Sequence, residues 1–105
     1  MISESTIHQA VRLLTEAGQP TRIILFGSYG REEPGAESDL DFLVVQPRVK
    51  DRRQEMVRLR RVLSPLRIPA DVIVVSEQAF QKWRDTPGNI LYEAAQEGKV
   101  LYEAA

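Results

Sequence analysis

Three short apolar runs constrain this chain more than any other feature: TRIILF at 21–26, LDFLVV at 40–45 and DVIVV at 71–75. Each is rich in branched apolar residues, and Pro20 and Gly27 bound the first, so each reads as a strand. The second is nearly continuous apolar sequence, whereas a strand with one wet face would alternate, so it is expected in the middle of a sheet covered on both sides. Such covering requires helices, and the intervening segments supply them. Ile7, Ala10, Val11 and Leu14 share one face of a helix expected over 5–17, with Ser3 or Ser5 as cap and Gly18 as stop. Met56, Leu59, Leu63 and Leu66 form an apolar stripe within 50–67, where Pro65 marks a kink or an early stop. Ser76 opens a helix reaching about Arg84, a further helix follows Pro87 and ends at Gly98, and a last short strand spans 100–102. The segment 27–38, with three glycines and a proline, reads as turn and loop with one helical turn after Ser28.

Helices alternating with strands define an α/β class, a small mixed sheet flanked by helices. The second and third strands, joined through a helix, are expected to be parallel neighbours, and the first and second, joined by the glycine-rich loop, antiparallel. At 105 residues and 11.9 kDa the chain is expected to form one domain over 1–105, with no room for a second substrate domain. Its 14 basic and 15 acidic residues nearly cancel, which argues against coating nucleic acid or an anionic membrane as the main activity. The absence of cysteine excludes disulfides, zinc-thiolate sites and thiol nucleophiles. No apolar run approaches the roughly 20 residues of a membrane helix, and the start is no secretory signal, so a soluble, cytoplasmic protein is expected. The oligomeric state stays open.

Chemistry concentrates where the strands begin and end. Asp39 and Asp41 open the second strand with one residue between them, so their side chains share a face with Cα atoms about 6.6 Å apart, while Leu40 points into the core. Two carboxylates aimed at one spot repel unless a cation lies between them, and hard oxygen ligands suit magnesium or manganese. Gly27 and Ser28 leave the first strand, where a glycine admits close backbone approach and a hydroxyl with turn amides can meet phosphate oxygens. Asp71 opens the third strand at the same edge. A metal-bound phosphate chain is the ligand these groups suit. Singly, a Gly-Ser turn or an Asp-x-Asp is ordinary loop chemistry; the ordered set with a third aspartate is what carries information.

The stretch FGSYGREEPGAESDLDFLVV (26–45), followed by ADVIVV (70–75), resembles the minimal nucleotidyltransferases of the DNA polymerase beta superfamily. The resemblance implies that fold over nearly the whole chain. It implies that Gly27 and Ser28 bind a triphosphate, that Asp39 and Asp41 hold two magnesium ions, and that Asp71 joins the metal site and helps activate an acceptor hydroxyl. Stand-alone members this short look like the antitoxins of HEPN/MNT toxin–antitoxin pairs, which transfer AMP from ATP to a tyrosine of the HEPN partner. The chain departs from the usual Ala-Arg-Gly of such loops with Gly30-Arg31-Glu32, where glycine weakens a helical turn and Glu32 adds negative charge near phosphates.

Arg31 is then a candidate phosphate ligand, the alternative being a solvated ion pair. Arg52, Arg53, Arg58, Arg60, Arg61 and Arg67 read as a solvated helix face or as a docking surface for an acidic partner or RNA. Tyr29 is weighed as a base-stacking group against an ordinary loop tyrosine, and Trp83 as packing. His8 is expected at the surface, and Leu91, Tyr92 and Ala95 in the core or an interface. Two other functions stand beside nucleotide transfer: a fold that neutralises a partner by binding alone, and a small phosphohydrolase, which fits the Gly-Ser loop less well.

Overall fold

The computed structural model describes residues 2–35 and 38–104. Helix α1 (Glu4–Gly18) is capped by the Ser3 hydroxyl, which accepts from the Thr6 amide. It runs through Gly18 and stops where Gln19 takes a left-handed conformation, one residue later than expected. Strand β1 (Arg22–Phe26) leads into a four-residue turn of helix, α2 (Gly27–Gly30). The expected loop over 27–38 includes residues 36 and 37, which lie outside the described residues. Strand β2 (Leu40–Gln46) follows, then α3 (Arg52–Val62), capped by Asp51. The long helix expected to 67 ends at Val62 and continues only as a 3-10 turn, Ser64–Leu66, because Pro65 cannot donate the next helical hydrogen bond.

Strand β3 (Ala70–Ser76) passes directly into α4 (Glu77–Trp83), whose cap is Ser76, as the sequence suggests. Helix α5 (Ile90–Glu97) starts later than Pro87 would place it. The Asn89 side chain accepts from both the Leu91 and Tyr92 amides and sets the start. Strand β4 (Lys99–Glu103) closes the described chain one residue longer at each end than expected. No helix among the described residues is long and apolar enough to cross a membrane.

The sheet order is β3-β2-β1-β4, with β2 and β3 parallel and the other two pairings antiparallel. Because side chains alternate across a strand, each apolar run feeds two cores. Ile23, Leu25, Phe42, Val44, Val72 and Val74 pack against α1 and α3 through Leu14, Leu59 and Leu63. Ile24, Phe26, Leu43, Val45 and Val75 face the other way, against Phe80 of α4 and Leu91 and Ala94 of α5. The near-continuous apolar character of β2 follows from this double covering.

Leu59 is fully buried between α3 and the sheet. Leu59→Ala is expected to lower unfolding free energy by about 2–5 kcal/mol, through lost burial and the cavity left behind. Urea denaturation checks this: the midpoint should fall with an unchanged slope, and a loss below 1 kcal/mol would show that α3 is not an integral layer.

Candidate functional site

The residues singled out in the sequence converge where β1 ends and β2 and β3 begin. Phe26 at the end of β1 pairs with Asp41, and Asp41 is in parallel register with Asp71 on β3. Asp41 shares its face with Leu43 and Val45, so the carboxylate lies on the α4/α5 side, beyond the apolar core of that face. Gly27 has a φ of 69°, a conformation other residues adopt at a cost. A Cβ built there would run into Asp41 Oδ2. The backbone at Gly27 and the Asp41 carboxylate therefore face each other with no side chain between them, the close approach expected of this glycine. Ser28 is half-buried beside it, Asp41 is half-buried, and Asp39 and Asp71 are exposed.

Burial pushes the Asp41 carboxyl above its usual range, and the negative charges of Asp71, Asp39 and Glu93 raise it further in that order. Four acids thus act on one spot. Glu93, in the first turn of α5, was not singled out in the sequence. The available signal was its four-residue spacing from Glu97, which puts both on one helix face. Among the described residues no three His, Asp or Glu side chains already stand at metal-ligand spacing. The disposition of Asp71 fits that result, because its Oδ1 accepts from the Arg60 guanidinium of α3 in an ion pair whose side chains are both about half exposed.

Arg31 is engaged with two acids of α5. It bridges to Glu93 at 3.3 Å and Glu97 at 3.7 Å, the exposed ion pair that was the alternative reading. Glu32 is likewise turned away, its carboxylate receiving Lys99 Nζ of β4 at 2.6 Å, which answers the negative charge expected near phosphates. Gly30, expected only to weaken the turn, has a packing reason. A Cβ there would lie 2.5 Å from the Leu25 carbonyl oxygen and 3.4 Å from the Gly98 Cα. Tyr29 is buried against α1, and its hydroxyl accepts from the Ile2 amide at 2.9 Å, so it packs as a core residue.

His8 is exposed, as expected, and Leu91 is buried with Tyr92 and Ala95 half-buried. Trp83 does not pack as expected; it is 43% exposed. It lines a groove of about 660 Å³ with Val49, Val75, Ala79, Ile90 and Leu91, at the opposite end of the parallel strands from the aspartates. That groove is apolar with a basic rim of Lys50 and Arg52, and no lining residue is an acid.

The donor set beside Gly27 consists of carboxylate oxygens with a backbone cradle, a chemistry that fits magnesium and polyphosphate and not a soft metal. The family model described as "Polymerase beta, Nucleotidyltransferase" matches residues 8–105. The chain belongs to that family. No curated protein sequence matches it. Among solved structures, a toxin–antitoxin complex with AMP-PNP is 22% identical with a TM-score of 0.65, covering 98% of this chain and 75% of that one. The toxin–antitoxin MntA–HepT is 19% identical with a TM-score of 0.61, covering 97% and 74%. The spectinomycin adenyltransferase AAD(9) from Enterococcus faecialis, solved with ATP and spectinomycin, is 16% identical with a TM-score of 0.72 over 99% of this chain. This nucleotidyltransferase chain spans 57% of the length of that adenyltransferase. At these identities the likeness establishes the polymerase beta-like fold, in agreement with the mixed sheet and its flanking helices.

The folded state holds the Asp41 proton more tightly than the unfolded chain does. Its contribution to stability is therefore present at low pH and lost as pH rises through the ordinary carboxylate range and above it. In metal-free protein, Asp41→Asn should raise the melting temperature at pH 7, and the gain should shrink toward zero as pH is lowered through that range. A lower melting temperature at pH 7 would show instead that Asp41 is a structural anchor.

Proposed function

We propose that this chain transfers a nucleotide, AMP from ATP, to a hydroxyl on a partner protein. The observation that carries the reading is the Asp41 carboxylate set against the bare backbone of Gly27, with Asp39 and Asp71 close enough to raise its pKa. Asp39 and Asp41, with Asp71 as third ligand, are the residues that would hold magnesium. When bound, magnesium neutralises charge on the triphosphate and on the leaving pyrophosphate.

The chain's own groups orient the reactants. The Ser28 hydroxyl and the opening amides of α2, which lack helical partners, donate to outer phosphate oxygens, and Gly27 leaves the space they need. Asp71 accepts the proton of the acceptor hydroxyl. That oxygen then forms a bond to the α-phosphorus as the bond to the bridging oxygen breaks, and pyrophosphate departs with the electron pair. Most of the rate gain in such a site comes from positioning and charge compensation. Arg31 enters this scheme through Glu93 and Glu97, holding α5 against α2.

The acceptor is proposed to be a tyrosine of a HEPN-type toxin, modification of which makes this chain an antitoxin. Two of the structural neighbours named above are toxin–antitoxin complexes, one of them with an ATP analogue, which supports a nucleotide and a protein acceptor together. The described residues form one sheet and its covering helices, and the wall around the acceptor is proposed to come from a partner. The chain is proposed to act as a single catalytic domain in the cytoplasm.

Incubation with α-labelled ATP and a cognate HEPN-type protein tests the proposal. Label should appear on a partner tyrosine in the presence of magnesium. Asp39→Asn combined with Asp41→Asn should abolish it, and Ser28→Ala, which removes one hydrogen bond to a charged group, should slow it about tenfold. Transfer that survives the double aspartate change, or an unchanged rate in Ser28→Ala, would contradict the assignment.

A further inference from the structure

The exposed arginine Arg60 reaches a site acid from the wrong side of the sheet. Helix α3 packs through Leu59 and Leu63 on the α1 face, whereas Asp41 and Asp71 belong to the α4/α5 face. Among the described residues strand β3 pairs only with β2, which makes it an edge strand whose margin an arginine on α3 can pass around. Two arginines do so. Arg52 Nε donates to the Val74 carbonyl at 2.7 Å, which satisfies backbone along the strand, and Arg60 donates to the Asp71 carboxylate at its start. These contacts differ in kind. The first serves a backbone carbonyl, while the second occupies a carboxylate of the proposed nucleotide site.

The acids of the site are unequally neutralised. Glu93 has Arg31 and Asp71 has Arg60, whereas among the described residues Asp39 and Asp41 have no ion-pair partner. A divalent cation arriving at the protein therefore meets two uncompensated carboxylates and one that is already engaged. We propose that Arg60 is a positioning residue that gates Asp71, holding it in an ion pair until a divalent cation on Asp39 and Asp41 draws it away. The inference rests on the proposed metal–nucleotide site and adds an order of assembly to it.

The exposure of the pair makes such a gate workable. Arg60 and Asp71 side chains are 53% and 55% exposed, and ion pairs that open to water are weak, so the contact yields to a cation instead of locking the carboxylate away. The same exposure means that both side chains can be changed without opening the core. Arg60 also differs from a general basic surface in acting through one named carboxylate, which a double-mutant cycle isolates.

The test is manganese binding to nucleotide-free protein, followed by loss of the free-ion electron paramagnetic resonance signal. Arg60→Gln should tighten manganese binding roughly two- to fivefold, the range set by an exposed ion pair. In an Asp71→Asn background the Arg60 change should have no effect. An unchanged or weaker affinity in Arg60→Gln would overturn the gate while leaving the site itself in place. Equal tightening with and without Asp71 would also overturn it, since the effect would then be general charge removal. If wild-type protein shows no manganese binding that Asp41→Asn removes, the site reading fails and this inference with it.

Discussion

The Asp41 carboxylate approaches the chain at Gly27 so closely that no side chain fits between them. A half-buried acid among three other acids is an unfavourable arrangement, and burial and like charge both act against its ionised form. The fold imposes it nonetheless. Phe26 is locked opposite Asp41 by the β1–β2 ladder, Asp71 is locked beside it by the β2–β3 ladder, and the strands carrying them are buried on both faces. Register cannot slip by one residue without turning every core side chain to the wrong face, so the acids cannot separate to relieve their repulsion. Carboxylates held together against their own field are what the proposal of a bound cation rests on.

Around that centre, charge is compensated from the flanks. Arg31 takes Glu93 and Glu97, Lys99 takes Glu32, and Arg60 takes Asp71. Each of these cations comes from a different element, so the elements around the site are tied to one another. The Gly30-Arg31-Glu32 sequence belongs to this arrangement. Glycine lets α2 lie against the Leu25 carbonyl and the start of β4, and the two charged residues point outward to partners on α5 and β4. What looks in sequence like a weakened phosphate loop is a tightly packed corner.

The fold was largely legible because its signals are local or periodic. Continuous apolar runs marked the strands, the Ser76 cap marked α4, and Pro65 marked the break after α3. The convergence of Gly27, Asp41 and Asp71 at one sheet edge was legible too, since topology follows from connection length and faces follow from alternation. Side-chain destinations were not. Tyr29 enters the core through a contact with Ile2, Trp83 stays in a groove rim, and Arg31 and Arg60 find acids 62 and 11 residues away. Such choices depend on which partners tertiary packing brings within reach. The spacing of Glu93 from Glu97 shows only that the two share a helix face, and α5 comes to the site only through the packing of Leu91 and Ala94 on the sheet.

The corner formed by Gly27, Ser28, Asp39 and Asp41 is proposed to hold a metal-bound triphosphate. A crystal structure grown with magnesium and a non-hydrolysable ATP analogue decides this, with metal density expected on the Asp39 and Asp41 carboxylates and phosphate oxygens against Ser28. A nucleotide seated instead in the apolar groove beside Trp83, with the aspartates free of metal, would contradict it.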